Sequence, residues 1–363
     1  MMPIPGARHN QPPRTRAMPT PPQQPPQPPP PPRQGGAQPP MPGGRRRRWG
    51  FRRIVSLILL LLVALLAAIW LYLEFSINRV NALPDYEGRP AAAEGTNWLI
   101  VGSDSRAGLT PEQAKRLRSG DETGTSGRRT DTILVAHLPD NGTKPTLVSF
   151  PRDSDVEVPG YGVTKINSAF SYGGPKLMAR TVEQATGLRI DHYAEVGFGG
   201  FAQIVDAIGG VEMKIPEKMT DTITGMTIPK GKQELNGAQA LGFVRMRHST
   251  ATPRSDLDRV VNQRKFIGAL AGELSSPSTF LNPFHVVPLL GAAPESLTID
   301  KGDHLHNVIG LGWAMRGISS GGTVTTTVPV TDGSATTWDP TKSDQLFNAL
   351  KNDTPVPKSV IEN

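Results

Sequence analysis

Five arginines lie within twenty residues of one another in the segment 241–264: Arg245, Arg247, Arg254, Arg259 and Arg264. The apolar residues between them predict a helix, a loop and a second helix. A guanidinium stays charged at any relevant pH and matches phosphate oxygens bidentately, so a cluster that converges in space suits a multiply anionic ligand. Taken alone, however, the segment is more typical of a solvated basic helix face.

Charged side chains also stand at the ends of three predicted strands. Asp104 follows the first strand in VGSDSR, Asp131 opens the second in RRTDT, and Arg152 follows the third in SFPRDS. A turn cap or a surface ion pair explains any one of them. Together they suggest two carboxylates for a hard divalent cation and several guanidiniums for a phosphate ligand, because Mg²⁺ is commonly held by one or two carboxylates and phosphate oxygens.

Several other chemistries lack their sequence signatures. The chain has no G-x-x-x-x-G-K-[ST] loop, no G-x-G-x-x-G after a strand, no G-x-S-x-G elbow and no S-x-x-K. It also has no cysteine, and His304 with His306 is too small a pair for a zinc site. Nucleotide hydrolysis by a P-loop and serine acyl transfer are therefore disfavoured.

Short apolar runs alternate with helical patterns from residue 97 onward. Runs at 97–101, 132–138 and 146–150 are apolar on both faces, which predicts interior strands of a covered sheet. Later strands are predicted at 193–196, 211–215, 297–300 and 323–330. Helices are predicted at 175–186, 200–208, 238–244, 305–315 and 343–350, and a further helix runs from the arginine segment to about residue 274. This alternation predicts an α/β fold, a layered αβα domain around a central mixed β-sheet.

Residues 54–73 form an uncharged apolar run of twenty residues, IVSLILLLLVALLAAIWLYL. As a helix at about 1.5 Å per residue, it spans roughly the 30 Å hydrocarbon core of a bilayer. The run is too long for a cleaved signal peptide, the competing interpretation. Six arginines stand just before it, so the positive-inside rule predicts a single-pass cell-membrane protein with a cytoplasmic N-terminus and an extracytoplasmic C-terminal part.

The first 53 residues hold ten arginines, no Asp, Glu or Lys, and 17 of the 36 prolines. This composition predicts a disordered Pro/Arg-rich tail. The chain as a whole has a net charge of +7, so residues 54–363 have a net charge of −3 and a nucleic-acid partner is not expected. The predicted segments are a tail at 1–53, a transmembrane helix at 54–73, a linker at 74–94, an extracytoplasmic domain at 95–352 and a C-terminal tail at 353–363.

Ordered motifs between residues 97 and 270 resemble the LytR-CpsA-Psr family of cell-wall glycopolymer ligases. They are VGSDSR, RRTDT, SFPRDS, TKINSAF, DHYAEVGFGGF to AIGGVEM, KGKQELNGAQALGFVRMRH and DLDRVVNQR. The resemblance implies a phosphotransferase that attaches a phosphate-linked glycopolymer from an undecaprenyl- or decaprenyl-pyrophosphate carrier to peptidoglycan. It also implies a requirement for Mg²⁺ or Mn²⁺ and a hydrophobic lipid pocket for the polyprenyl chain.

The resemblance further implies roles for individual residues. Asp104 and Asp131 fall at metal-linked aspartates and, with three arginines, form the implied catalytic set. The residues that fall at pyrophosphate positions are Arg106, Arg129, Arg152, Arg245, Arg247, Arg259 and Gln263, of which Arg152, Arg245 and Arg247 complete the catalytic set.

The chain departs from the family pattern at two places. A polar stretch at 107–127 is longer than the simplest versions of the motif need, and Asn262 stands where an arginine is common. Arg264 could offset that change or could face solvent. Two other function classes stay open: a polyprenyl-pyrophosphate hydrolase that uses the same residues with water, and a non-catalytic envelope regulator or attenuator.

Overall fold

The structure of the protein is a computed structural model that describes residues 46–105, 130–222, 225–246, 249, 251–252, 256–331 and 336–361. The strands are β1 (Asn78–Val80), β2 (Thr96–Ser103), β3 (Thr130–Leu138), β4 (Thr146–Phe150), β5 (Asp155–Val158), β6 (Gly162–Lys165), β7 (His192–Gly197), β8 (Val211–Ile215), β9 (Met219–Thr220), β10 (Thr227–Ile228), β11 (Gly231–Leu235), β12 (Leu297–Asp300) and β13 (Val324–Thr327). The helices are α1 (Arg46–Ser76), α2 (Ser168–Thr186), α3 (Phe198–Ala207), α4 (Gly237–Arg245), α5 (Asp256–Leu274), α6 (Pro277–Leu281), α7 (Pro283–Ser296), α8 (Leu305–Met315), α9 (Pro340–Lys351) and α10 (Lys358–Ile361).

Helix α1 contains the apolar run that was predicted to cross a membrane. By length and composition, its stretch Gly50–Ser76 is able to span a bilayer. At its C-terminal end, Glu74 accepts a hydrogen bond from the backbone N–H of Leu305 at 2.9 Å. The end of the apolar helix is therefore tied to the start of α8.

A mixed sheet is the centre of the described chain, with the strand order β1-β12-β7-β2-β3-β4-β13. Strand β2 is parallel to β7 and antiparallel to β3, and β3 is antiparallel to β4. The carboxyl ends of β2, β4 and β7 and the amino end of β3 therefore meet at one edge of the sheet.

Successive residues of the central strands face opposite sides of the sheet and pack against different helices. Leu99 and Ile133 join a buried cluster that includes residues of α2 and α9, whereas Trp98 and Leu134 join another with residues of α5 and α8. The predicted αβα layering around a mixed sheet is confirmed.

A further buried cluster connects α3, α4 and α5 with β8 and β11. Phe243 of α4 and Phe266 of α5 both lie in it, with ring centroids 6.4 Å apart. Helix α4 begins with a capping box, in which Asn236 and Gln239 each bond the other's backbone N–H. The predicted helix–loop–helix around the arginine segment thus corresponds to α4 and α5. The lipid pocket stays a prediction.

Two features go beyond what the sequence pattern predicted. Helix α2 begins at Ser168, seven residues before the predicted start at Pro175, because a first helical segment precedes the predicted one and the two are joined by a kink at Gly174, whose φ of 61° and ψ of −151° are non-helical. The segment after α1 also packs on the domain: Asp300 Oδ1 accepts from the N–H groups of Ala82 and Leu83 at 2.7 and 3.0 Å.

Candidate active site

The strand pairings bring four chain segments together at the edge where β2, β4 and β7 end. Ser103, the last residue of β2, pairs with Thr130 of β3 on one side and Gly197 of β7 on the other. On the far side of β3, Ile133 pairs with Phe150, the last residue of β4. The residues at the same edge include Asp131, near the start of β3, and Asp104, Arg152 and Phe198, which follow the ends of β2, β4 and β7.

A β-bulge lies at Asp131. Gly102 pairs with Thr132 and Ser103 pairs with Thr130, so Asp131 is the extra residue of β3. The Thr130 hydroxyl donates to the carbonyl oxygen of Gly102 at 2.9 Å and holds the two strands together at this point. A bulge changes the direction of a side chain relative to the regular strand.

Asp131 and Arg152 form an ion pair at this edge. Asp131 Oδ1 and Arg152 Nη1 are 2.5 Å apart, and the two side chains are 27% and 21% exposed. Arg152 Nε also donates to Asp153 Oδ2 at 3.3 Å, and Lys165 Nζ donates to Asp153 Oδ1 at 2.8 Å. Two carboxylates and two cations therefore alternate in one partly exposed chain of contacts.

The backbone around Arg152 is fixed by the segments that follow it. Its carbonyl oxygen accepts from the N–H of Asn167 at 3.2 Å, directly before α2. The carbonyl oxygen of Ser154 accepts from the N–H of Ile166 at 2.8 Å. The loop between β4 and β5 is thus held by the end of the β5–β6 hairpin, which positions Arg152.

Gly197 allows the segments after β2 and β7 to approach closely. A Cβ atom at this position would lie 2.8 Å from the carbonyl oxygen of Ser105 and 3.1 Å from its Cβ. The next residue, Phe198, lies under the guanidinium of Arg245, with Cζ 4.6 Å from the ring centroid. This cation–π contact connects the end of α4 to the segment beside Asp104 and Ser105.

Helix α5 contacts the C-terminal end of α4. Gln263 is 6% exposed, and its Nε2 donates to the carbonyl oxygen of Val244, the residue before Arg245, at 3.1 Å. Arg259 lies deeper, at 2% exposure. Arg264 is partly buried, and desolvation by burial lowers its pKa to about 10, so it stays a cation at neutral pH.

Some predicted site residues lie outside the described residues. They are Arg106, Arg129 and Arg247, together with Arg254 and the 107–127 insertion. The six described predicted residues are divided between the strand ends, where Asp104, Asp131 and Arg152 lie, and the α4–α5 pair, which carries Arg245, Arg259 and Gln263. Phe198 connects the two groups through Arg245.

The donor set at the strand ends fits a hard divalent cation that is shared with a phosphate ligand. The described residues contain no group of three or more His, Cys, Asp or Glu that could enclose a metal ion. Mg²⁺ is commonly bound by one or two carboxylates, with phosphate oxygens and water completing its six ligands. Asp104 and Asp131 can supply such carboxylates, and Arg152 adds positive charge beside Asp131.

Comparison with known proteins identifies the family of this chain. The model of the LytR_cpsA_psr family matches residues 75–352. The chain belongs to the LytR-CpsA-Psr family. It is 47% identical over 293 residues to the probable cell wall biosynthesis protein LcpB of Corynebacterium glutamicum, which covers 79% of this chain and 68% of LcpB. The predicted family resemblance is confirmed.

A second relative agrees with this assignment, and a solved structure has a similar fold. The cell wall biosynthesis protein LcpA of C. glutamicum is 34% identical over 272 residues, which cover 66% of this chain and about half, 51%, of LcpA. A solved structure described as a LytR-Csp2A-Psr enzyme from Actinomyces oris superposes with a TM-score of 0.59 at 20% identity, covering 76% of this chain and 96% of that one. The latter likeness concerns the fold.

Sequence reasoning did not select three residues that organise this site. Lys165 lies in the TKINSAF motif but carried no assigned role, and its contact with Asp153 had no signal in the sequence. Phe198 and Gly197 lie in the EVGFGGF motif, where a glycine at a strand end was the available signal for a close approach.

Proposed function

We propose that this LytR-CpsA-Psr protein is a cell-wall phosphotransferase that moves a phosphate-linked glycopolymer from a polyprenyl-pyrophosphate carrier to peptidoglycan. Membership of a family whose relatives LcpB and LcpA are described as cell wall biosynthesis proteins supports the cell-wall role. The observation on which the reaction rests is the Asp131–Arg152 pair beside Asp104 at the strand ends, with Arg245 on the neighbouring side.

The arginines bind the charged part of the donor. Arg152 and Arg245 come from different elements, so together they hold a pyrophosphate from two directions. Arg259 and Gln263 of α5 contribute on the same side as Arg245. Gln263 acts through the backbone of Val244, which makes it a positioning residue for Arg245. Arg106, Arg129 and Arg247 stay in the proposal as further pyrophosphate contacts.

The reaction is a substitution at the phosphorus that bears the glycopolymer. A hydroxyl oxygen of the peptidoglycan glycan forms the new O–P bond, the bond from that phosphorus to the bridging pyrophosphate oxygen breaks, and polyprenyl phosphate leaves. Asp104 or Asp131 accepts the hydroxyl proton. Asp104 and Asp131 would hold Mg²⁺ or Mn²⁺, which would neutralise charge on the pyrophosphate. Positioning and charge stabilisation account for most of the rate in phosphoryl transfer.

Helix α1 anchors the enzyme in the cell membrane, where its lipid donor resides. The six arginines just before the apolar run favour a cytoplasmic N-terminus, and hence an extracytoplasmic catalytic domain. This orientation gives the domain access to peptidoglycan.

The test uses the full chain in detergent micelles or nanodiscs, with a polyprenyl-pyrophosphate-linked saccharide donor, Mg²⁺ and isolated glycan strands. We expect wild type to form glycan-bound product and Arg245→Ala or Asp131→Ala to lose most of that activity. Product that appears only as released saccharide phosphate, with or without glycan strands, would identify the hydrolase instead. If neither product forms while both variants retain the cell-envelope phenotype of wild type, the regulator hypothesis is favoured.

A further inference from the structure

Two tyrosine rings stack on each other at the surface beside the candidate site. Tyr161 lies in the turn of the β5–β6 hairpin, and Tyr172 lies in α2. Their ring centroids are 4.4 Å apart with an interplanar angle of 20°. The residues are 56% and 49% exposed, and Val163 on the same hairpin is 75% exposed. Burial therefore does not explain why large apolar groups occupy these positions.

Both rings are carried by elements that are fixed to the Arg152 loop. The hairpin starts two residues after Asp153, and its turn is closed by the N–H of Tyr161, which donates to the carbonyl oxygen of Val158 at 2.9 Å. Helix α2 starts one residue after Asn167, whose N–H bonds the Arg152 carbonyl oxygen. A ligand on the tyrosine pair is thus held in a fixed relation to Arg152.

The chemistry of the pair suits a sugar chain. A sugar ring presents a face of C–H groups and an edge of hydroxyls. The C–H face packs on the electron-rich face of an aromatic ring, and the hydroxyls remain in water or bond nearby polar groups. A tyrosine adds its own hydroxyl as a partner. An exposed, preorganised pair of aromatic rings offers such a ligand contact area at little cost in side-chain entropy.

We propose that Tyr161 and Tyr172 form a subsite for the peptidoglycan glycan strand that accepts the polymer. This inference rests on the proposed phosphotransferase function and names its acceptor position. From Tyr161 along β6 to Lys165 the chain rises about 13 Å, at roughly 3.3 Å per residue. Lys165 contacts Asp153, and Asp153 contacts Arg152. A short glycan oligomer on the tyrosine pair covers this distance to the reacting phosphorus.

The position of the pair favours the acceptor over the donor saccharide. Residues of α2 pack on one face of the sheet, and residues of α5, which carries Arg259 and Gln263, pack on the other. In a phosphoryl transfer the attacking and leaving oxygens lie roughly in line on opposite sides of the phosphorus. With the leaving phosphate held by Arg245 on the α4–α5 side and the attacked phosphorus beside Arg152, the incoming hydroxyl arrives from the side of α2 and the hairpin.

The experiment measures glycan binding separately from transfer. Peptide-free peptidoglycan glycan strands are titrated calorimetrically into full-length protein in nanodiscs, without donor. The variants are Tyr161→Ala, Tyr172→Ala and the corresponding Phe substitutions, which keep the rings. Phe284→Ala is the matched control, because Phe284 is an 84% exposed ring outside the pair. KM values for glycan strands and for the lipid donor are then measured for each variant that transfers.

Each Ala variant is expected to raise the glycan Kd about tenfold or more, as loss of one stacking contact typically does. The Phe variants and Phe284→Ala are expected to stay within about threefold of wild type, and melting temperatures should be unchanged because the rings are exposed. Equal Kd values for wild type and the Ala variants, or no glycan binding by wild type, overturn the subsite. A rise in the donor KM in place of the glycan KM assigns the rings to the donor saccharide and also overturns it.

Because binding is measured without donor, its outcome is independent of the proposed transfer. Glycan binding that depends on the tyrosine rings in a protein that transfers nothing would reject the phosphotransferase function and keep the glycan subsite. Transfer that is intact in Tyr161→Ala and Tyr172→Ala, with unchanged glycan KM, would reject the glycan subsite and keep the phosphotransferase function.

Discussion

Asp131 Oδ1 lies 2.5 Å from Arg152 Nη1. Asp131 is two residues before Ile133 in β3, and Arg152 is two residues after Phe150 of β4. Ile133 of β3 pairs with Phe150 of β4, so the ion pair continues the antiparallel ladder past its last pairing. The charge of Asp131 is therefore positioned by backbone register, and Arg152 is the side chain that the same register brings opposite to it.

Asp131→Asn and Arg152→Gln are expected each to lower the transfer rate by about 10²–10³-fold, as losses of groups that stabilise transition-state charge do. Because the two residues contact each other, the double variant should lose much less than the product of the single effects. Steady-state transfer kinetics of the four proteins give the coupling directly. Asp155→Asn, an exposed carboxylate two residues after Asp153, should retain the wild-type rate. Multiplicative losses in the double variant would contradict a shared role.

Metal dependence offers a separate test of Asp104. Chelation with EDTA should abolish transfer by the full-length protein, and added Mg²⁺ should restore it. Asp104→Asn removes the charged oxygen that the proposal assigns to the metal ion, and should raise the Mg²⁺ concentration for half-maximal activity by at least about tenfold. Asp344→Asn, on the exposed side of α9, is the matched control. An unchanged Mg²⁺ requirement in Asp104→Asn would remove Asp104 from the metal site.

Gly197→Ala tests the close approach of the segments after β2 and β7. The added Cβ would lie 2.8 Å from the Ser105 carbonyl oxygen, so the segment that contains Asp104 must move. We expect a loss of transfer activity of at least about tenfold, as misplacement of catalytic groups by about 1 Å can cost 10²-fold, and a lower melting temperature. Gly272→Ala, within α5 and with nothing inside 4 Å, should keep activity and gain roughly 0.5–1 kcal/mol of stability.

The central layers could be predicted from the sequence because their pattern is local. All five residues of β4 are buried, and its continuous apolar run indicated a strand covered on both faces. Strand β12 and helix α8 likewise have the bounds that their patterns indicated, 297–300 and 305–315. The β5–β6 hairpin escaped prediction because each strand has only four residues and β6 is largely exposed.

The site could be predicted only as a set of residue types at strand ends. The contact of Asp131 with Arg152 depends on the pairing register of β3 with β4, and the bulge at Asp131 against β2 has no composition signature. Whether Arg264 faces solvent or protein depends on how α5 is rotated against its neighbours, and sequence spacing alone left both open. A polyprenyl pocket and an ordinary core share the same apolar composition, so the residues that line such a pocket could not be predicted from the sequence.

Glu183 joins the segment after α1 to α2 and should be important for stability. Its Oε1 accepts from Arg89 Nε at 3.0 Å and its Oε2 from the Tyr86 hydroxyl at 2.8 Å, with the Glu183 side chain 2% exposed. Burial acts to lower the pKa of Arg89, but the hydrogen bonds and charges of Glu183 and Asp85 outweigh it and raise that pKa. Glu183 is the buried carboxylate of the two, because the Asp85 side chain is 90% exposed.

Glu183→Ala should lower the free energy of unfolding by about 3–5 kcal/mol, because it leaves the cation of Arg89 without its buried partner. Thermal or urea unfolding of the full-length protein in detergent measures the change. Glu157→Gln, on the exposed face of β5, should lie within about 0.5 kcal/mol of wild type. Equal stability of Glu183→Ala and wild type would show that the segment after α1 contributes little to the fold.

Substitution of Arg264 tests whether this cation has a functional or a structural role. Burial lowers its pKa to about 10 through desolvation, so the side chain stays charged at neutral pH at a cost to stability. Arg264→Met keeps the length of the side chain and removes the charge, and should therefore raise the free energy of unfolding by roughly 1 kcal/mol. If Arg264 provides the phosphate contact that Asn262 lacks, the same variant should raise the KM for the lipid donor about tenfold or more, while Asn262→Arg in the Arg264→Met background should recover part of it. A variant that is more stable and has an unchanged donor KM would assign Arg264 to packing alone.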